Sequence, residues 1–400
     1  NKPLREKTLL GALGLLFLRI YWQAGFFQGL ETSCSTLPLA SALSWFFRIE
    51  ICLLRFWMAF HILTIFINNQ WVHETMVVRI VVIGLGRFGK NYVKTILGLK
   101  QYDLAGICSK TSNKLHDITS QFGLKGGFST TELTKVFSDK KIDAVVIATP
   151  ASTHFKIAKQ ALQVKKHVLI EKPVCLSSEE VSELDALAKK QGRILMGAHI
   201  HCYNPVFERL KEDIKAKKFK KIRSINLVHV NNGPIRGDVD ALWDYLPHAF
   251  SIFYNLLNEK PKSIQIIPLE IGKNKKTGLF SMTIGFPSGI IGTFFAGWSY
   301  PHKKFELFLL GDRKAALFDD LNTDAKLQYF TITNKNDYFD QKSQKITFEN
   351  TMPLEKQLIH FAQCIENKKT PKTDGKHALL ITQLIEAAQT SLKTGKPVLL

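Results

Sequence analysis

A glycine-rich turn constrains the fold of this chain more than any other feature of its sequence. Residues 84–89 read Gly-Leu-Gly-Arg-Phe-Gly, with G-x-G-x-x-G spacing, between an apolar run at residues 78–84 and an amphipathic stretch at residues 91–99. In a strand–turn–helix unit, the first glycine allows the tight turn, the second lets the backbone approach a pyrophosphate, and the third permits close packing. The helix start adds free N–H donors and a positive dipole. The sequence therefore predicts a dinucleotide site at Gly84, Gly86, Arg87, Phe88 and Gly89.

Two patterns of predicted elements follow along the chain. Up to about residue 200, short Val- and Ile-rich runs alternate with amphipathic stretches, and this β-α-β order predicts an α/β Rossmann domain with a doubly wound parallel sheet. Beyond about residue 205, helices and many strands predict an α+β domain with an open, largely antiparallel sheet and helices on one face. We therefore expect a dinucleotide-binding domain at residues 76–200 and a domain for substrate binding and oligomerisation at residues 201–400.

Residues 1–75 differ from the rest of the chain, because 13 of them are aromatic and few are charged. The apolar stretches at residues 9–20 and 51–67 fall short of the roughly 20 residues that a membrane-spanning helix needs. The chain starts with Asn1, and Met76 directly precedes the first predicted strand. Two interpretations stay open, translated upstream sequence and a genuine membrane segment, and membrane association is expected only in the second case. A cleaved signal peptide is disfavoured, because no small-residue cleavage site follows the apolar run.

The charge and cysteine content limit the classes of partner. The formal net charge of +20 comes from 54 Lys and Arg against 34 Asp and Glu, but the basic residues are scattered, so we expect no nucleic-acid partner. The charge favours acidic small molecules, such as phosphorylated cofactors or nucleotide-linked sugars. The six cysteines form no C-x-x-C pair and no metal-ligand spacing with histidine, which predicts a reducing compartment, the cytoplasm, and no metal site.

The residues after the second predicted strand bear on the choice of cofactor. NAD-preferring folds carry Asp or Glu about 20 residues beyond the glycine turn, where the carboxylate binds the ribose hydroxyls. Here the sequence reads Cys108-Ser109-Lys110. The carboxylate that would repel a 2′-phosphate is absent, and a lysine that can attract the phosphate follows the serine. The sequence favours NADP over NAD, with Ser109 and Lys110 at the phosphate and Lys114 assisting. The alternative is that Lys110 is a solvated surface lysine.

Three further segments carry chemically informative residues: Thr149-Pro150 with His154, Glu171-Lys172-Pro173, and Asp244 with His248. The first two segments end predicted strands, where a doubly wound sheet has its ligand crevice. Together with the glycine turn, the three segments resemble the Gfo/Idh/MocA family of glucose-fructose oxidoreductase and inositol dehydrogenase, and the resemblance covers residues 76–400. We expect four residues at the cofactor, namely Thr149, Pro150, His154 and Glu171.

The catalytic residues are expected to be Lys172, Asp244 and His248. Lys172 can hydrogen-bond a substrate hydroxyl and stabilise charge on its oxygen, as the family resemblance also implies; the alternative is a salt bridge with Glu171 or another carboxylate. Asp244 and His248 are spaced i, i+4 on one face of a helix predicted at residues 242–257, and Pro247 suggests that this face begins near the helix start. His248 is the expected general base, since imidazole titrates near neutral pH, and Asp244 would orient the sugar or the imidazole. Alternatively, His248 is a histidine of the core whose ring is hydrogen-bonded and has no catalytic role.

Two segments are expected to contact the substrate. The stretch at residues 232–238 resembles the substrate loop of family members that act on nucleotide-linked sugars, so Arg236 is expected near a phosphate or carboxylate. Tyr203 and Asn204 are further expected contacts, although an aromatic residue before an Asn-Pro turn is equally suited to packing. Many relatives have arginine where Cys202 stands, so sugar recognition at that position is in doubt.

These observations predict an NAD(P)-dependent oxidoreductase that transfers a hydride between a nicotinamide cofactor and a secondary alcohol or ketone carbon of a sugar, polyol or nucleotide-linked sugar. Two alternatives stay open: a reductase of a non-sugar substrate, as the biliverdin reductase relatives of the family are, and a non-catalytic regulator that senses NADP. The presence of both Asp244 and His248 favours the sugar, and their occurrence with Lys172 disfavours the regulator. Because many relatives are dimers or tetramers, we expect a homo-oligomer.

Overall fold

The computed structural model describes residues 76–400 except 125–126, 272–275, 334–338 and 340–341, together with Met58 and His61. The apolar stretches at residues 9–20 and 51–67 therefore lie outside the described residues, apart from those two positions. Among the residues that are described, no helix is both long and apolar enough to cross a membrane. The described part from Met76 onward lies within one compact unit that contains two sheets.

The first sheet has six parallel strands: β1 (Val78–Ile83), β2 (Tyr102–Cys108), β3 (Phe128–Thr130), β4 (Ala144–Ile147), β5 (His167–Ile170) and β6 (Leu195–Gly197). The helices between them are α1 (Arg87–Leu97), α2 (Ser112–Phe122), α3 (Leu133–Ser138), α4 (His154–Gln163) and α5 (Ser178–Gln191). The strand order is β3-β2-β1-β4-β5-β6, so the winding direction reverses between β1 and β4. The predicted doubly wound parallel sheet is confirmed, and its ligand crevice is expected at the carboxyl ends of these two strands.

Alternate residues of the central strands pack on opposite faces of this sheet. Ile80 and Val82 of β1 belong to one apolar cluster, which includes residues of α1 and α2, whereas Val81 and Ile83 belong to a second cluster with residues of α4 and α5. The burial of both faces explains why β1, β4 and β5 are rich in Val and Ile instead of alternating between apolar and polar residues.

The second sheet has nine strands: β7 (Ile222–Asn232), β8 (Ser263–Ile271), β9 (Thr277–Gly285), β10 (Ile291–Gly297), β11 (Ser299–Gly311), β12 (Lys314–Asp319), β13 (Leu327–Thr331), β14 (Gln344–Lys345) and β15 (Val398–Leu399). Their order is β14-β13-β12-β11-β7-β10-β9-β8-β15, and β7 with β10 is the one parallel pair within the described sheet. The helices of this half are α6 (Pro205–Lys215), α7 (Ala241–Leu257), α8 (Pro353–Glu366) and α9 (Gly375–Thr394). Residues of α6, α7 and α9 share one apolar core with the sheet. The predicted, largely antiparallel sheet is confirmed.

The C-terminal helices connect the two sheets. Leu358 and Phe361 of α8 lie in the same apolar cluster as Val78 and Tyr92 of the first half. Helix α9 packs against α5 of the first half and against α7 of the second. The last part of the chain therefore completes the core on both sides and holds the two halves together.

The bounds of α7 agree with the sequence-based expectation to within one residue. Helix α7 begins at Ala241, one residue before the predicted start, and Asp240 caps it by accepting a hydrogen bond from the backbone N–H of Trp243 at 3.1 Å. Pro247 lies inside the helix, where it lacks the N–H that would continue the hydrogen-bond ladder. Asp244 therefore stands in the first turn of α7 and His248 one turn further on.

Candidate active site

The glycine turn has the geometry of a phosphate-binding loop. Gly84 has φ +96°, and a Cβ there would lie 2.5 Å from the carbonyl oxygen of Ala148, while a Cβ at Gly89 would collide with the carbonyl oxygen of Gly84. A Cβ at Gly86 would meet no protein atom within 4 Å. No side chain caps the start of α1, so its N-terminal N–H groups are available to a ligand. The turn therefore leaves space for an anionic group at Gly86 and at no other position among these three glycines.

A cationic cavity opens beside this turn, between α1 and α2. Its volume is about 580 Å³, and Gly86 contributes to its wall. Four basic side chains line it: Arg87, Lys90, Lys94 and Lys114. No carboxylate lines the cavity, and none of the four cations forms an ion pair within the described part of the chain. The residues present therefore fit a dinucleotide that carries several phosphate groups.

The residues after β2 take different positions around this cavity. Lys114 lines it, whereas Lys110 is exposed and lies outside its wall. Ser109 is buried, and its hydroxyl accepts a hydrogen bond from the backbone N–H of Thr111 at 3.4 Å. Burial raises the pKa of the neighbouring Cys108 thiol to about 11, so this cysteine is unreactive. A contact of Ser109 or Lys110 with the cofactor stays a prediction, and Lys114 has the more favourable position.

His154 joins the two loops that follow β4 and β5. Its Nδ1 lies 2.8 Å from the carbonyl oxygen of Pro173, and its Nε2 lies 2.9 Å from that of Thr149. Burial lowers the pKa of this imidazole, which is almost inaccessible to solvent. Both ring nitrogens already face backbone carbonyls, so a contact of His154 with the cofactor stays a prediction. Half-buried Thr149 and exposed Pro150 remain on the loop that His154 positions.

Glu171 positions the segment that carries Lys172. One of its carboxylate oxygens accepts a hydrogen bond from the Tyr92 hydroxyl at 2.7 Å, and the other accepts one from the backbone N–H of Lys172 at 3.0 Å. Burial raises the pKa of this carboxyl group above its usual range. Both contacts are internal, so a direct contact of Glu171 with the cofactor stays a prediction.

An ion pair joins the two halves of the chain at the crevice. The Lys172 ammonium lies 2.7 Å from Oδ1 of Asp244 and 2.9 Å from its backbone carbonyl oxygen. Both side chains are largely buried, at 13% and 18% exposure. Burial alone would raise the pKa of Asp244, but Lys172 and Arg236 hold it below its usual range. An ammonium has three N–H donors, so Lys172 keeps one for a substrate oxygen.

Arg236 extends this ion pair into a network of four charges. Its Nη1 donates to Oδ1 of Asp244 at 3.0 Å, and its Nε and Nη2 donate to the two carboxylate oxygens of Asp238 at 3.0 and 2.7 Å. Asp238 also accepts a hydrogen bond from the backbone N–H of Ala151, which follows the β4 loop. Arg236 thus lies at the crevice, as expected, but its guanidinium is already matched by carboxylates. Its predicted contact with a substrate phosphate or carboxylate stays a prediction.

His248 lies among other imidazoles instead of pairing with Asp244. Burial, the Lys172 ammonium and the rings of His201, His229 and His199 hold its pKa well below the usual value. Its ring centroid lies 4.8 Å from that of His201 and 5.6 Å from that of His229. No described residue forms a hydrogen bond with its ring nitrogens, so Asp244 orients Lys172 and not the imidazole. Because its pKa is low, His248 is neutral at pH 7, and one ring nitrogen has a free lone pair.

Two of the expected substrate contacts, which stay predictions, have hydrogen-bond partners inside the protein. Tyr203 is only 1% exposed, and its hydroxyl lies 3.0 Å from that of Thr373 inside the core. Asn204 caps α6, because its side-chain oxygen accepts a hydrogen bond from the backbone N–H of Val206 at 3.0 Å. The alternative that Tyr203 serves packing is the one observed. Cys202 is likewise buried as a free thiol.

Comparison with known proteins agrees with this fold. The Gfo/Idh/MocA description "Oxidoreductase family, NAD-binding Rossmann fold" matches residues 78–199, and its companion "Oxidoreductase family, C-terminal alpha/beta domain" matches residues 212–400. The chain belongs to the Gfo/Idh/MocA family of oxidoreductases. It is therefore an oxidoreductase that uses NAD or NADP.

Two relatives illustrate the range of the family. The scyllo-inositol 2-dehydrogenase (NAD(+)) of Bacillus subtilis (strain 168) is 27% identical over 338 residues, which cover 80% of this chain and 96% of that protein. The UDP-N-acetylglucosamine 3-dehydrogenase of Acidithiobacillus ferrooxidans is 25% identical over 193 residues, which cover 46% of this chain and 56% of that protein. A solved structure of the latter matches with a TM-score of 0.68 and 18% identity, covering 79% of this chain and 98% of that one, which shows the fold alone.

Proposed function

We propose that this chain oxidises a secondary hydroxyl group of a sugar, polyol or nucleotide-linked sugar, or reduces the corresponding ketone. The observation that carries the proposal is the Lys172–Asp244 ion pair at the carboxyl end of β5, with His248 one turn further along α7. Residues 76–200 would hold the cofactor, and residues from 201 onward would supply the acid and the imidazole. The names of the two relatives, an inositol dehydrogenase and a nucleotide-sugar dehydrogenase, support the same substrate class.

The proposed mechanism separates the hydride from the proton. The nicotinamide ring, when bound, accepts or donates the hydride. The free N–H of Lys172 binds the substrate oxygen and stabilises negative charge that develops there, in a site from which water is largely excluded. His248 accepts the hydroxyl proton during oxidation and returns it during reduction. Asp244 keeps the Lys172 ammonium in position and balances its charge.

The two other interpretations have less support. A reductase of a non-sugar substrate is supported by a match of 28% identity to biliverdin reductase A of Mus musculus over 142 residues, which cover 46% of that protein. A non-catalytic regulator would have no use for a neutral imidazole beside a lysine donor. A screen of the protein with NAD and NADP against polyols, aldoses, nucleotide sugars and biliverdin, followed by absorbance, tests all three interpretations. Turnover of biliverdin alone, or of no compound, would contradict the proposal.

Lys114→Asp is expected to weaken NADP binding about tenfold or more while changing the dissociation constant of NAD less than about twofold. Lys114 lines the cationic cavity, so reversing its charge repels a 2′-phosphate. Lys110→Asp should act in the same direction but more weakly, because Lys110 is outside the cavity wall. Fluorescence titration measures both constants, and Lys190→Asp on the exposed side of α5 is the matched control. Equal effects on NAD and NADP would remove the case for NADP.

Replacing Leu269 and Ile291 with lysine is expected to convert a homo-oligomer into smaller species. Ile267, Leu269 and Ile271 alternate along β8 and are about half exposed, as is Ile291 on β10. An exposed apolar sheet face of this kind favours self-association, and we propose that it forms the subunit interface. Light scattering coupled to size-exclusion chromatography measures the mass. Val164→Lys, at an exposed apolar residue of the first half, is the control, and a monomeric wild-type protein would refute the proposal.

A further inference from the structure

Three imidazoles from separate elements meet at the crevice. His201 lies on the 3₁₀ turn Ile200–Tyr203 directly after β6, His229 lies on β7, and His248 lies on α7. The ring centroids of His201 and His229 are 6.5 Å apart, and each lies within 6 Å of that of His248. Phe305 supports the first two from one side, with centroid distances of 4.9 and 4.5 Å. We refer to His201, His229 and His248 as the imidazole cluster.

The imidazole cluster has hydrogen-bonding capacity that the protein does not use. The Nδ1 atoms of His201 and His229 are buried without a partner, and no ring nitrogen of the three bonds to another described residue. A buried unpaired polar atom costs about 1–3 kcal/mol, so such atoms usually have a partner that is not protein. Apolar side chains of similar shape would pack on Phe305 without this cost. The unpaired nitrogen atoms therefore indicate that the imidazole cluster binds a polar ligand or water.

The charge of the site indicates what kind of ligand fits. Burial and neighbouring charges lower the pKa of His201 to about 4 and that of His229 to about 3, so both rings are neutral at pH 7. Nearby, Lys172 and Arg236 are balanced by two carboxylates, Asp244 and Asp238. A neutral imidazole has one donor and one acceptor, as a hydroxyl group does. Within the described residues, no group of His, Cys, Asp and Glu has the arrangement of a metal site.

We propose that His201 and His229 are specificity-determining residues that bind the hydroxyl groups flanking the reacting carbon. The part of the substrate at this cluster is accordingly an uncharged vicinal polyol, such as a cyclitol or a pyranose ring. Any phosphate or carboxylate of the substrate lies away from the three rings. The inference rests on the proposed function, because it takes His248 as the base that faces the reacting hydroxyl.

Kinetic discrimination between a polyol and a simple alcohol tests this inference. The probes are myo-inositol and cyclohexanol, which differ in the flanking hydroxyls. His201→Phe and His229→Phe should each lower kcat/KM for myo-inositol about tenfold or more, and leave that for cyclohexanol within about twofold. His201→Gln, which keeps a donor and an acceptor, should recover part of the loss. His116→Phe, at an exposed histidine of α2, is the control. Equal losses on both probes would overturn the inference.

A binding measurement separates this inference from the dehydrogenase proposal. Glycerol, a small vicinal polyol, is titrated to molar concentration into NADP-saturated, ¹⁵N-histidine-labelled protein, and the imidazole resonances are assigned with the single variants. Saturable shifts at His201 and His229, with none at His116, support the inference even if no alcohol is turned over. The inference is overturned if the resonances of His201 and His229 do not shift, or if they shift only as much as those of His116. Failure of the substrate screen alone contradicts only the dehydrogenase.

Discussion

Turnover should fall by about 10² to 10⁴-fold when His248 is replaced by alanine, and by about 10² to 10³-fold when Lys172 is replaced by alanine. The first change removes the group that accepts the hydroxyl proton, and the second removes the donor that stabilises charge on the substrate oxygen. Neither residue lines the cationic cavity beside α1, so the dissociation constant of the dinucleotide should stay within about twofold of the wild-type value. Steady-state kinetics and fluorescence titration measure the two effects separately.

Control measurements distinguish a loss of catalysis from a loss of folding. Lys172 pairs with buried Asp244, so Lys172→Ala leaves a carboxylate with Arg236 as its remaining cation, and the melting temperature has to be measured alongside the rate. Lys172→Met keeps most of the side-chain volume and is a second variant. His116→Ala and Lys190→Ala change exposed residues of the same types and should leave turnover unchanged. Wild-type rates in a folded Lys172 or His248 variant would contradict the mechanism.

Gly86→Ala should weaken dinucleotide binding without destabilising the protein, whereas Gly89→Ala should destabilise the protein. The Gly86 Cβ would meet no protein atom and its backbone is extended, so Gly86→Ala should fold with the wild-type stability. The added methyl would project where the backbone has to approach the pyrophosphate, so dinucleotide affinity should fall about tenfold or more. In Gly89→Ala, the Cβ would overlap the carbonyl oxygen of Gly84, and α1 has to shift. The resulting loss in the free energy of unfolding should be about 1–3 kcal/mol.

The two measurements for the glycine pair are thermal or denaturant unfolding without cofactor and titration with dinucleotide. Gly98→Ala, at the other end of α1, is the matched control, because its Cβ would lie at an ordinary 3.5 Å from the carbonyl oxygen of Thr95. Unchanged cofactor affinity in Gly86→Ala would show that the pyrophosphate does not approach this turn. An unperturbed stability in Gly89→Ala would show that the close contact between α1 and the turn is not required.

The elements that the sequence predicts best are those with a strong local pattern. The first strand at β1, the strand at β5, and helices α5 and α9 follow directly from apolar periodicity. The strands β3, β14 and β15 have no local pattern that predicts them, because each has only two or three residues and gains its structure at the edge of its sheet. Helix α7 agrees with its predicted bounds at residues 242–257 although Pro247 lies inside it, because the packing of its many buried side chains stabilises the helix.

The sequence predicts only those site residues that lie in recognisable motifs. The glycine turn, Lys172, Asp244 and His248 were identified from local spacing and resemblance. His201 and His229 were not, because their convergence on His248 depends on how β6, β7 and α7 pack together. The segment His199-Ile200-His201, directly after a predicted strand end, is the sequence signal that was available. Tyr203 and Asn204 have polar atoms suited to a substrate, but the fold uses them for a core hydrogen bond and a helix cap.

One tracer experiment addresses the claim that Lys172, Asp244 and His248 surround a single alcohol carbon facing the nicotinamide. The best substrate from the screen is synthesised with deuterium on its carbinol carbon and oxidised by the protein. Deuterium should appear at C4 of the reduced cofactor, at a rate that falls in His248→Ala and Lys172→Ala to the same extent as turnover. Loss of the deuterium to solvent, or transfer at the wild-type rate in either variant, would contradict the account.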